Sequence, residues 1–286
     1  MIKNIIIFLV IFITILIFKN SVIINTNIIF ASELFIKKIF PSLFPMFLLS
    51  SILINLNIIK YFDFFFIKIT NFIFKINNNL SYILIMSLIS GFPSSAKIAK
   101  EMYDKNIISK KNIQKILLFT HFANPLFIFA MIDKNAKLIL FAHFLSNFII
   151  GICTRNFLVD NSEKKIKLSN HDNLISSIFN SINNSISTLL FIFGTITTFY
   201  IISSVINLPI FKILLELSQG LNYIIFLNIN DLYKTILCGG LISFGGICIH
   251  FQVYGILSEL KIKYWPYLIA RLTQSIVTMF IIFLLY

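Results

Sequence analysis

Charged residues are scarce in this sequence. They make up 12% of 286 residues, whereas 58% are hydrophobic and the mean hydropathy is +0.91. No soluble domain of this size needs so apolar a composition, and several apolar runs approach the roughly 20 residues that cross a bilayer. The composition therefore predicts an all-α polytopic membrane protein with about six full spans.

Cysteine is also rare, and the usual signatures of catalysis are missing. The three cysteines form no Cys-x-x-Cys pair, which argues against a disulfide framework or a zinc site. The sequence contains no His-Glu-x-x-His, Gly-x-Ser-x-Gly or Gly-Lys-Ser/Thr pattern and no close pair of carboxylates. We therefore expect neither an enzyme nor a bound cofactor or metal.

Basic residues outnumber acidic ones by 24 to 11, for a net charge of +13. They lie in short clusters between apolar runs, which indicates cytoplasmic loops rather than a nucleic-acid surface. The larger share falls on the side of the N-terminus. The positive-inside rule therefore predicts that both termini are cytoplasmic.

Six runs are predicted to span the bilayer, and three further segments to lie at its surface. The first run follows Lys3 as in a signal peptide, but we expect it to be retained as a span. The predicted spans are 5–18, 40–59, 112–132, 137–157, 186–208 and 264–286, and the surface segments are 31–40, 61–76 and 209–229.

Two apolar runs are interrupted where a helix should continue. Leu80–Ser90 ends after eleven residues in Gly91-Phe92-Pro93-Ser94-Ser95-Ala96-Lys97, and a second run is broken at Phe244-Gly245-Gly246. Non-helical backbone at membrane depth is tolerated where it is buried in protein or lines a wet cavity. We therefore predict re-entrant broken hairpins over 80–97 and 232–250, each a candidate binding element.

An offset of 153 residues relates the two halves of the chain. It aligns Leu88-Ile89-Ser90 with Leu241-Ile242-Ser243, and Lys97 with His250. This predicts a duplication relating 40–125 to 193–278, with a first membrane repeat at 1–158, a polar linker at 159–173 and a second repeat at 174–286. We predict that the two repeats are inverted relative to each other.

The duplication brings two basic side chains, Lys97 and His250, towards the midplane beside broken helices, whose N-termini favour anions. Arg271 lies roughly six residues into the last span, where a central charge costs about 2.5–3.5 kcal/mol. The alternatives are a snorkelling Lys97 and a His250 satisfied by a backbone carbonyl. The predicted substrate-binding residues are Ser90, Gly91, Pro93, Ser94, Lys97, Ser243, Gly245, Gly246, His250, Gln252 and Arg271.

These motifs carry a resemblance to a known family. Ser90-Gly91-Phe92-Pro93-Ser94-Ser95-Ala96-Lys97 resembles the Ser-Gly-Tyr-Pro-x-Gly-Ala-Lys motif of the sporulation integral membrane protein YlbJ family, in the nucleoside-recognition or Gate domain group. The stretches 244–253 and 263–272 are similar to its second motif and closing segment. Ser95 stands where the family has glycine, and 119–125 departs from its Asn-rich run ending in Gly-Pro.

The resemblance implies a transporter or facilitator for a small organic anion, with dipicolinate moved across the outer forespore membrane as the first hypothesis. A nucleoside or other small-solute transporter of the same group is the second. A non-transporting scaffold for spore assembly is the third. The expected partners are the small anion and the lipid bilayer, in the bacterial cell membrane or the outer forespore membrane, with no nucleic acid.

Overall fold

The computed structural model describes residues 18–56, 66–158, 174–206 and 208–286, together with residues 7, 11, 14 and 15. Throughout these residues every regular element is a helix. The helices are α1 (Ser21–Asn55), α2 (Phe66–Phe74), α3 (Asn78–Ser90), α4 (Ser94–Asp104), α5 (Lys110–Ile116), α6 (Pro125–Met131), α7 (Ala136–Cys153), α8 (Leu174–Ile206), α9 (Pro209–Leu214), α10 (Leu217–Ile225), α11 (Asp231–Phe244), α12 (Gly246–Ile256) and α13 (Tyr264–Leu285).

Five helical segments in the described ranges are long and apolar enough to cross a membrane: α1, α7, α8, α11 joined to α12, and α13. A sixth is possible if α2 and α3, which bend by 94° at their junction, form one broken span. The chain is therefore an all-α, multi-pass membrane protein. This confirms the predicted fold class.

The N-terminal helix α1 differs from the prediction. We expected an amphipathic connector at 31–40 to separate two spans, but α1 is one 35-residue candidate span. The connector forms a π-helical turn, Phe35–Ile39, inside the helix. Such a turn takes up an extra residue without ending the helix, so the polar residues do not create a loop. The predicted span at 5–18 falls mostly outside the described residues.

The predicted third span, 112–132, is also wrong in form. Instead of one helix, the short helices α5 and α6 are joined by residues 117–124, most of which lack helical structure. Asn124 precedes Pro125, and the proline ring disfavours the α conformation for the residue before it. The Asn124 side chain caps α6 by accepting from the Leu126 N–H at 2.8 Å. This segment lies inside the protein rather than across the bilayer as a helix.

Both predicted breaks are present, but they differ in kind. Residues 91–93 separate α3 from α4. In the second half the interruption is confined to Gly245, with φ +91°, and α11 and α12 together form one 26-residue candidate span. The second element therefore continues across its break instead of forming the re-entrant hairpin that we predicted.

The long helices α1 and α8 pack against each other in opposite directions. Early in α1, Phe35 contacts Phe193, with ring centroids 4.9 Å apart. At the end of α1, Asn55 donates to the hydroxyl of Ser181 at 2.8 Å, twelve residues earlier in α8. On the other side of the molecule α13 packs against α7 and α11. The breaks and residues 117–124 lie between these groups of helices.

The offset of 153 also aligns the helices. Adding it to the first residues of α3 and α4 gives 231 and 247, and α11 and α12 begin at 231 and 246. The same shift carries 110–131, where the helix is broken, onto 263–284, of which α13 covers 264–284 as a continuous helix. The correspondence favours a duplication. The inverted relation and the linker at 159–173, which lies outside the described residues, stay predictions.

Candidate functional site

The first break is joined to residues 117–124 by backbone contacts. The Phe92 N–H donates to the Phe122 carbonyl at 2.6 Å, and the Asn124 amide donates to the Ser90 carbonyl at 3.3 Å. A Cβ on Gly91 would lie 2.4 Å from the Asn124 nitrogen, so only glycine allows this approach. Two interrupted segments therefore satisfy each other's backbone groups within the protein.

His121 connects the two breaks. Its ring stacks on Phe92, with centroids 4.7 Å apart, and its Nε2 lies 2.5 Å from the position that a Cβ on Gly245 would take. Its Nδ1 contacts the Tyr267 hydroxyl at 3.0 Å. Nε2 is buried and has no hydrogen-bond partner among the described residues. A polar ring nitrogen is therefore available where the first break, the second break and α13 meet.

Arg271 is wholly buried, with 0% of its surface exposed. Its guanidinium donates to the Leu118 carbonyl and to the side-chain oxygens of Gln274 and Asn147. Its Nε has no partner, and no carboxylate in the described residues lies within ion-pair distance. The charge is therefore held by neutral groups alone.

A buried network of polar side chains extends from Arg271 through α7, α11 and α13. Ser243, one of the predicted site residues, contacts His143 at 2.8 Å and Thr278 at 2.7 Å. The His143 Nε2 accepts from the Ala123 N–H at 2.9 Å, which ties the network to the non-helical segment. The members are His143, Ser146, Asn147, Ser243, Arg271, Gln274 and Thr278.

Lys97 is neither snorkelling nor unpaired. Its side chain is 3% exposed, and the ammonium lies 2.8 Å from the Glu101 carboxylate, one turn later in α4. It also lies 5.0 Å from the centre of the Phe47 ring. Glu101 therefore neutralises Lys97 in this structure, and the role of Lys97 in substrate binding stays a prediction.

His250 matches the alternative given by the sequence, a histidine that is hydrogen-bonded to a backbone carbonyl. Its Nε2 contacts the Phe244 carbonyl and its Nδ1 the Tyr264 hydroxyl, both at 2.8 Å. Both ring nitrogens are therefore occupied, and the residue joins the second break to the start of α13. These hydrogen bonds brace the second break, and the role of His250 in anion binding stays a prediction.

The other predicted site residues hold the breaks in shape. The Ser90 and Ser94 hydroxyls donate to the carbonyls of Met86 and Gly91. Gly246, with φ +68°, lies against the backbone at 214–217, where the Cys248 N–H donates to the Leu215 carbonyl at 2.8 Å. Ser90, Gly91, Pro93 and Ser94 thus lie at one break, and Gly245 and Gly246 lie at the other.

A small cavity of about 50 Å³ lies between the halves. Both breaks, or the helices that follow them, contribute to its wall, as do α1, α8 and the α9–α10 junction. Gln252 belongs to this wall and donates to the Thr195 hydroxyl at 3.0 Å. The residues that line this cavity include Ile39, Phe92, Pro93, Asn124, Ile192 and Glu216.

Sequence reasoning missed part of this site. His143, Ser146 and Asn147 were not singled out, although their spacing of three and four residues puts them on one face of α7. Glu216 was placed in a surface segment, yet it is 4% exposed. Within the described residues no three His, Cys, Asp or Glu side chains are grouped so as to hold a metal ion.

The chain is similar to the sporulation integral membrane protein YlbJ of Bacillus subtilis (strain 168). Their alignment is 301 residues long and shows 25% identity. It covers 87% of this chain and 74% of the relative. No family model and no solved structure matches the chain. A match of this extent includes both halves of the predicted repeat. The resemblance to the YlbJ family of sporulation integral membrane proteins, predicted from the two motifs and the closing segment, is thereby confirmed.

Proposed function

We propose that the protein is a transporter or facilitator for a small organic anion, and that the anion is dipicolinate. The observation that carries the proposal is Arg271, a buried guanidinium whose described partners are all neutral. Arginine stays protonated in proteins, and an uncompensated charge at membrane depth is costly. A carboxylate on the substrate supplies the missing negative charge and pairs with the planar guanidinium.

The cavity between the halves supports movement rather than a fixed binding site. Its volume of about 50 Å³ holds one or two waters, whereas an apolar cavity that takes benzene is about 150 Å³. An aromatic dicarboxylate therefore enters only after the two halves separate. Alternating access of this kind is what inverted repeats with broken helices provide in secondary transporters.

The membrane and the cellular process in this proposal are inferred from the name of the relative. Its name describes a sporulation integral membrane protein, and a role in spore formation extends to this chain as part of the proposal. The protein then acts in the outer forespore membrane or the cell membrane, with both termini in the cytoplasm. Dipicolinate movement during sporulation fits both the buried arginine and this setting.

Uptake by proteoliposomes tests the proposal. Purified protein should take up radiolabelled dipicolinate above protein-free vesicles, and unlabelled dipicolinate should compete while nucleosides should not. Competition by a nucleoside would favour the nucleoside-transporter alternative. Uptake of neither solute would favour a scaffold. In cells, deletion of the gene should lower the dipicolinate content of spores, and normal content would contradict the assignment.

A further inference from the structure

Glu216 is the one acidic residue that is fully buried among the described residues, at 4% exposure. It lies between α9 and α10, outside the candidate spans, and faces the cavity between the halves. No lysine, arginine or histidine of the described ranges forms an ion pair with it, and Lys212, one turn earlier in α9, is no exception. A buried carboxylate without a cation is costly, so its state of protonation matters.

The groups around Glu216 are few and uncharged near neutral pH. Its Oε2 accepts from the Ser218 hydroxyl and from the Gln219 N–H at 2.9 Å, which caps α10. The titratable neighbours are Tyr200 on α8, whose hydroxyl lies 3.2 Å from that of Ser218, and Cys248 on α12. The remaining cavity wall, from α1, the first break, residue 124 and α6, presents no ionisable side chain.

Two opposing effects act on this carboxyl. Burial raises the pKa of Glu216, whereas the hydrogen bonds from Ser218 and Gln219 lower it, and burial is the larger effect. The acid form is therefore reached at a higher pH than for an exposed glutamate. Capping of α10 does not by itself require Glu216 to be buried, because exposed residues also cap helices.

The cavity that Glu216 faces has no cation in its wall. Arg271 and Lys97 do not line it, and Lys97 is neutralised by Glu101. A dicarboxylate that crosses between the halves brings two negative charges past Glu216. An ionised Glu216 beside the cavity adds a third negative charge. Like charges in a medium of low dielectric constant repel strongly, so an occupied cavity and an ionised Glu216 exclude each other.

We propose that Glu216 binds the proton that accompanies the anion through the membrane. This inference rests on the proposed transport function. The cavity accepts the anion when Glu216 is the neutral acid and rejects it when Glu216 is the carboxylate. One proton is taken up by the carboxylate on the side of entry and released on the side of exit, so anion and proton move together.

The first test uses proteoliposomes. Dipicolinate uptake by the wild-type protein should fall as pH rises and should be driven by an inward proton gradient. Glu216→Gln keeps an oxygen that can cap α10 but cannot be ionised, so its uptake should lose the pH dependence and the response to the gradient. Glu259→Gln, at a site 78% exposed, is the matched control and should behave as wild type.

A second variant keeps the carboxyl group of Glu216 and removes one of its hydrogen-bond donors. Ser218→Ala removes a donor that stabilises the carboxylate, so the alkaline fall in uptake should move to higher pH by about 1 unit. A wild-type pH profile in both Glu216→Gln and Ser218→Ala, with active transport, would overturn the inference and leave the proposed function standing.

Infrared spectroscopy of the purified protein distinguishes failure of the proposed proton site from failure of the proposed transport function. The wild type should show a carboxylic-acid C=O band that disappears as pH rises, and Glu216→Gln should lack this band. Absence of the band from the wild type overturns the proton site whether or not transport occurs. If vesicles take up no anion but the band is present, the proposed function fails, and anion-coupled proton movement fails with it.

Discussion

The carbonyl oxygen of Leu118 accepts a hydrogen bond from the guanidinium of Arg271, and the two residues are 153 positions apart. This is the offset of the predicted duplication, in which the two residues are equivalent positions. Equivalent positions touch only near the two-fold axis that relates two copies. Ile39 and Ile192, also 153 apart, both line the cavity. For inverted copies the axis lies in the membrane plane, which puts this hydrogen bond near mid-depth.

The two-fold relation predicts a contact that paired cysteines can test. Exchanging the copies turns the contact between Phe35 and Phe193 into one between residues 40 and 188. With the three native cysteines replaced, F40C and T188C should cross-link on oxidation. The control pairs F40C with T198C, about 15 Å further along α8, and should not cross-link. Equal yields from the two pairs would argue against the two-fold relation.

The breaks require glycine. Gly91→Ala and Gly245→Ala should each abolish uptake and reduce the folded fraction, because the new Cβ would lie 2.4 Å from the Asn124 nitrogen or 2.5 Å from His121 Nε2, at positive φ. In the control Gly194→Ala, the Cβ meets nothing within 4 Å. It should be neutral or stabilise α8 by about 0.5–1 kcal/mol. Thermal unfolding and uptake measure both effects, and full activity of the first two variants would contradict the proposed packing.

The pairing of Lys97 with Glu101 predicts that removing one partner harms the fold. Lys97→Gln leaves a half-buried carboxylate without a cation and should destabilise the protein by up to about 3–5 kcal/mol. The double variant Lys97→Gln/Glu101→Gln should recover much of the stability and transport. Transport that stays lost in a stable double variant would return Lys97 to a direct role with the substrate.

Membrane topology is open to labelling. Of the three native cysteines, Cys153 is exposed and the other two are buried, so a Cys153→Ser background is suitable. Because α7 is a candidate span, K134C and S162C should react from opposite sides of the membrane. Labelling of both positions from one side would remove the crossing assigned to α7.

Local sequence was enough to predict some features and not others. The breaks at Gly91 and Gly245 could be predicted because glycine and proline act on their own backbone. The ion pair between Lys97 and Glu101 could also be predicted, because residues four apart in a helix are neighbours. The non-helical path of 117–124 could not be predicted, because its backbone partners, Phe92 and His143, lie far away in the chain.

The central claim is that Arg271 counters a carboxylate of the transported anion. The direct measurement is dipicolinate uptake by proteoliposomes containing Arg271→Gln, with Arg155→Gln, at the other arginine of the chain, as the matched control. Arg271→Gln should accumulate and fold but lose uptake to the level of empty vesicles, while Arg155→Gln should transport as wild type does. Wild-type uptake by a folded Arg271→Gln variant would contradict the account.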